Sequence, residues 1–234
     1  MTEPQPPSFS AVAGRIHTAG LLVMVIAWAW TGAISAARIR THAAFPLMAT
    51  YVATILVEWL IVAYVVAGIR RHGGSVRELI GGSWNRLADF FRDVMVAIAF
   101  WIICIITLVI VRLVIHARTA VESIRFLAPR TGAEIAVWLL AALTAGICEE
   151  IIFRGYFQCQ FIAATGKPYV GILMSAALFG ALHAYQGGKQ TIVLGVFGAL
   201  LGVLAYRRRS LRPGMMAHAW QDALAGLLLR LLVK

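Results

Sequence analysis

Charge is what this chain has least of. Only 13% of its 234 residues are charged and just ten are acidic, whereas a soluble domain carries roughly 25% charged residues. A water-soluble fold of this length could not cover so much apolar surface. Cysteine is also sparse. Cys104, Cys148 and Cys159 lie in or beside apolar runs, with no CxxC pair and no even set in loops. That excludes a disulfide framework and leaves three inert thiols. No Pro- or Ser-rich linker divides the chain, no segment repeats and no tract is of low complexity. A cleavable signal peptide is not evident either. Residues 1–10 are polar and Pro-rich, with Glu3 in place of a basic cluster, and the first apolar run, from near Thr18, can serve as an uncleaved signal anchor.

What fills the chain is hydrocarbon, 61% of it hydrophobic. Seven runs, roughly 18–36, 44–68, 94–114, 133–153 or longer, 168–185, 191–206 and 214–232, approach the length needed to cross ~30 Å of bilayer. The expected fold is all-α, a polytopic membrane bundle of about seven transmembrane helices. It divides into a polar tail (1–17), N-terminal transmembrane helices with an interfacial segment (18–132) and a C-terminal set (133–234). The interfacial segment is 70–93, where Arg77, Arg86 and Arg92 alternate with Leu79, Trp84 and Phe90. Stretch 116–130 is a weaker version. The net charge of +11 would raise nucleic-acid binding in a soluble protein. Here the basic residues stand in short loops, where they set orientation and meet anionic headgroups. The expected partner is therefore the lipid bilayer and not a nucleic acid. Alternating the loops places twelve of the 21 lysines and arginines on the N-terminal side, which predicts a cytoplasmic N-terminus.

Ionisable residues inside apolar spans are costly and ordinarily functional, and here they gather late in the chain. Glu149 and Glu150 follow a stretch whose only charge is Glu134. Glu150 and Arg154 are four apart with the acid first, the favourable order for a helical ion pair, so this pair reads as a brace. Glu149 points about 100° away and is left to meet water or substrate. The plainer alternative is that both acids end a helix at the interface. Phe179 and His183 stand in the next run. His218 and Asp222 share one face of the last. A single such histidine is ordinarily a packing residue; the conjunction of all three motifs points to a site. A carboxylate beside a neutral imidazole can activate water as a general base. Two histidines and a carboxylate can equally hold a catalytic zinc with an open water position.

Depth supports part of this grouping. If the fourth helix runs to about residue 163 and the chain turns at 165–167, Glu149 and His183 both lie ~21–23 Å from the turn and can face one another. His218, only about one turn into its helix, is expected at the opposite depth.

In these motifs, EExxxR at Glu149, Glu150 and Arg154, FxxxH at Phe179 and His183, and HxxxD at His218 and Asp222, the chain resembles the CPBP family of intramembrane peptidases. That family includes CAAX prenyl endopeptidases and bacterial bacteriocin-processing and immunity proteins. The resemblance covers about residues 133–232. It implies an endopeptidase cutting near the membrane face, at home in a bacterial inner membrane, on a peptide or membrane-protein substrate, prenylated or not. It further implies that Glu149 and His183 activate the water, and that His218 and Asp222 either bind a metal or stabilise the oxyanion. A divalent ion such as Zn2+, if used, would take its ligands from Glu149, His183, His218 and Asp222; no other cofactor is implied. An ionised Asp222 cannot donate to an oxyanion, which favours the ligand role unless it is protonated.

Of the remaining residues, Glu58 lies mid-span and is expected to pair with Arg112 or another helix, or to line a cavity. Trp30, Trp59, Trp101 and Trp138 read as belt or packing residues. Gly195, Gly198 and Gly202 suit close helix packing, and residues 207–209 a headgroup anchor. Two other functions stay open: an ion- or proton-coupled transporter, which would normally show repeated halves, and a catalytically silent scaffold or immunity protein.

Overall fold

A computed structural model describes residues 11–41 and 46–232. The expectations for residues 1–10 and for the start of the second run at 44–45 lie outside them. Five helical stretches are long and apolar enough to cross a membrane. These are α1 (Arg15–Thr41), α2 (Leu47–Arg71), α4 (Leu87–Val114), the continuous rod Gly132–Thr165 and α9 (Gly188–Arg208). The rod is built from α6 (Gly132–Glu149), a π-helical segment (Glu150–Phe157) and α7 (Gln158–Thr165). The other two apolar runs form α8 (Pro168–Leu182), which is shorter, and α10 (Arg212–Leu232), whose inward-facing polar residues dilute its apolar character. The short α3 (Val76–Ile80) and α5 (Ala120–Ile124) lie in the connections.

Local chemistry sets the boundaries that matter for the site. Thr131 caps α6 by accepting from Glu134 N while Glu134 reaches back to Thr131 N, a capping box that accounts for the lone charge in that run. The rod ends at Gly166, whose φ of +66° closes the turn, and Pro168 opens α8 at a position where no N–H is needed. The most apolar span, α4, is also the least buried inside the protein, as expected of a helix whose solvent is lipid.

Two expectations change. Residues 87–93, read as interfacial, form the first turns of α4, and α3 alone stays outside the spans. Asp93 shows why. Fully buried, it accepts from Trp84 Nε1 at 2.9 Å and pairs with Arg212 at 3.1 Å and Arg208 at 3.5 Å. A carboxylate so tied to the α9–α10 turn draws the start of α4 into the bundle. Arg154, one of the twelve basic residues assigned to the N-terminal side, lies in the core at 2% exposure and takes no part in the charge bias, which narrows accordingly.

Candidate active site

The rod Gly132–Thr165 has 34 residues and is about 51 Å long, well beyond bilayer thickness. Glu149 and Glu150 fall in its middle, where the α-helix widens to i→i+5 bonding through Phe157. Ser175 of α8 donates to Phe153 O within this segment at 2.8 Å. The rod's length also explains the depth of His218. The first residues of α10 lie beside Gly155 and Glu150, not at the Gly166 turn: a Cβ on Gly155 would meet Leu211, and one on Gly214 would lie 3.3 Å from Glu150 Oε2. His218, in the second turn of α10, therefore reaches the same level as Glu149, against the expectation of opposite depths.

Glu149 and Glu150 divide their roles across one imidazole. Glu150 Oε1 accepts from Arg154 Nη1 at 2.8 Å and from His218 Nδ1 at 3.0 Å, with all three side chains buried. An ionised carboxylate only accepts, so Nδ1 of His218 carries a proton and Nε2 is presented to the other side. There it lies 3.7 Å from Glu149 Oε2 and 3.6 Å from Asp222 Oδ2. The brace inferred for Glu150 and Arg154 is present in this geometry; Glu149 is not unpartnered, but faces the second nitrogen of the same ring.

Phe179 is the hub of the cluster. Its ring stacks edge-on with Phe153 at 5.1 Å, lies 4.6 Å from His183 and 6.0 Å from His218, and carries the Arg154 guanidinium 4.4 Å above its face. Its carbonyl accepts from His183 Nδ1 at 2.8 Å. A carbonyl can only accept, so this bond fixes the tautomer of a neutral His183 and leaves Nε2 with its lone pair.

Glu149, His183, His218 and Asp222 line one cavity of about 520 Å³. Its walls come from both parts of the chain: Gly32 of α1 and Thr54 and Glu58 of α2 line it together with Ala145 and Leu194. The Asp222 side chain is 38% exposed, and its backbone carbonyl accepts from Trp138 Nε1 at 2.9 Å. Arg112 does not pair with Glu58. It donates to Gln190 Oε1 at 2.7 Å and to Arg118 O at 2.8 Å.

Residues 131–224 match the family described as type II CAAX prenyl endopeptidase, Rce1-like. Over these residues the chain is similar to the CAAX-type intramembrane peptidases. The match begins at the cap of α6 and ends just past Asp222, so it spans all three motifs. No curated protein and no solved structure matches the chain. The long apolar helices around and within the matched residues make the protein an integral membrane protein.

The residues suggested as metal ligands share this cavity without forming a cage. Among the described residues, no three His, Cys, Asp or Glu side chains are gathered to hold an ion. His218 also has Nδ1 committed to Glu150, so it can offer only Nε2. As placed, these side chains do not fit a resident metal.

Several residues of the site were not assigned from sequence. Phe179 was read only as a motif letter, Trp138 as belt or packing, and Ser175 not at all. Ser175 stands four residues before Phe179 in an otherwise apolar helix, which is the signal that could have marked it. The glycine pattern on α9 has a specific target: a Cβ on Gly198 would sit 3.2 Å from Arg154 Nη2 and 3.2 Å from Phe179. Gly198→Val should therefore lower stability in detergent by about 1–3 kcal/mol through overpacking. Unchanged thermal unfolding would show that the guanidinium can move aside.

Proposed function

We propose that this protein is an endopeptidase that hydrolyses a peptide bond inside the membrane with a glutamate-activated water. The observation that carries this reading is the meeting of Glu149, His183 and His218 on one cavity with their proton positions set by hydrogen bonds. Glu149 is the general base. Water between Glu149 and the Nε2 lone pair of His183 loses a proton as its oxygen attacks the substrate carbonyl, and Glu149 returns that proton to the departing amine. His218, held at Nδ1 by Glu150, donates from Nε2 to the oxyanion when it carries its second proton. Asp222, 3.6 Å away, balances that charge and needs neither to donate to the oxyanion nor to bind a metal. Glu150 and Arg154 position His218 and do not touch substrate. The substrate is a peptide or a membrane-protein segment that can enter from lipid; the apolar walls accept a prenylated chain or a bare one. We place the protein in a bacterial inner membrane with a cytoplasmic N-terminus, on the bias of basic loop residues.

The test is cleavage of a panel of fluorogenic peptides, prenylated and unprenylated, by purified protein in detergent with and without a chelator. Cleavage that survives chelation is the expected result, because the donor set forms no cage. Activity abolished by chelation and restored by Zn2+ alone would replace the glutamate-activated water with metal chemistry.

A further inference from the structure

Glu58 is the one strongly buried acid near the site that the mechanism leaves unused. It stands mid-span on α2, outside the matched residues 131–224. It is 1% exposed, and Oε2 has no hydrogen-bond partner. It lines the same cavity as Glu149 and Asp222, and both act on it electrostatically. Arg112, the cation expected to neutralise it, is engaged by Gln190 and Arg118. A buried carboxyl without a partner costs stability, and a purely structural residue would have been given one. Its missing partner belongs in the cavity.

The face on which Glu58 stands indicates the shape of that partner. Thr50, Thr54 and Glu58 follow one another at intervals of four on α2, and all three line the cavity. Such a stripe puts a polar group about every 6 Å along the wall. Alternate residues of an extended peptide, whose N–H groups point the same way, recur about every 6.6–6.8 Å. Two helical turns of α2 can therefore meet successive same-facing amides of one extended chain. The stripe starts at Thr50, whose hydroxyl donates to Pro46 O, and ends at Glu58, on the cavity that Glu149 also lines.

We propose that the Thr50–Thr54–Glu58 stripe of α2 is a track for an extended substrate chain, with Glu58 accepting a hydrogen bond from a backbone amide of the bound peptide beside the scissile bond. This rests on the peptidase reading and deepens it: a segment without any family motif supplies substrate positioning. It also restricts the substrate, which must arrive unfolded from helix to extended form near the cut, because a helical segment has its amides already bonded.

The test compares wild type, Glu58→Leu, Glu58→Gln, Thr54→Val and Glu149→Gln on the peptide that wild type cleaves best, with thermal unfolding measured alongside. Glu58→Leu is expected to lower kcat/KM up to roughly tenfold, the size of one lost hydrogen bond, mainly through KM, with unfolding temperature unchanged or raised. Glu58→Gln, which keeps an accepting oxygen, should recover most of that loss, and Thr54→Val should raise KM to a smaller degree. Cleavage abolished in Glu149→Gln but unchanged in Glu58→Leu would overturn the track alone. So would a Glu58→Leu variant that loses both activity and stability without rescue by Gln, or one that loses kcat with KM intact. Cleavage that survives Glu149→Gln, or a folded wild type that cleaves nothing, would sink the peptidase mechanism and the track together.

Discussion

Glu149→Gln should lower the kcat for peptide cleavage by about 10²–10⁴-fold, the range a positioned general base contributes, while the protein stays folded. The substitution is nearly isosteric and sits at a position whose carboxylate makes its nearest approach, 3.7 Å, to His218 Nε2. That separation is too long for a hydrogen bond, so an amide there breaks no structural bond. What is lost is a group able to take the proton of the attacking water. Thermal unfolding close to wild type together with near-complete loss of turnover would identify Glu149 as the base. Full turnover in Glu149→Gln would remove it from the mechanism. His183→Ala is the companion: it deletes the second acceptor and should lower kcat in the same direction.

Arg154→Leu is expected to have the largest effect on stability. The pair it forms with Glu150 is 2.8 Å long and has 1% and 0% side-chain exposure at its two ends. Removing one partner of such a pair leaves an uncompensated buried charge and costs about 3–5 kcal/mol. The Phe179 face that carries the guanidinium would lose its cation as well. The double variant Glu150→Leu/Arg154→Leu should recover much of that stability, because it removes both charges. It should nonetheless be inactive, since His218 Nδ1 then has no acceptor to fix its orientation. Unfolding followed in detergent by intrinsic tryptophan fluorescence reads the first effect, and peptide cleavage the second. If the double variant unfolded as early as Arg154→Leu, the brace would owe its stability to something other than charge compensation. If it were fully active, Glu150 would have no part in positioning His218.

The periodicity of apolar runs was enough to read helices and their approximate ends, because the requirement that backbone groups be satisfied inside lipid leaves helices as the simplest solution for runs of this length. Where polar groups bond across helices, the reading slipped. The start of α4 was set late because the arginines and aromatics around Asp93 look interfacial, and nothing local reveals that Asp93 meets Arg208 and Arg212 across the bundle. The Glu150–Arg154 brace was legible since a pair four residues apart is a local matter. Of the alternatives open to Glu58 in the sequence, the structure shows it lining the cavity, while Arg112 turns to Gln190, a choice made by tertiary packing.

By itself, then, the sequence determined the solvent, the helical class and the three motifs, together with the pairing of Glu150 with Arg154 one turn away. It did so because composition and spacing act through local geometry, which recurs every 3.6 residues whatever the fold. Only the tertiary structure decided that Glu149, Glu150 and Asp222 converge on the two nitrogens of His218, that the long rod sets α10 at their level, and that α1 and α2 help line the cavity that Glu149, His218 and Asp222 share. Those relations depend on where one helix stands against another, and that is fixed by close contacts such as the approach of Gly198 to Arg154 and Phe179, which no local spacing encodes.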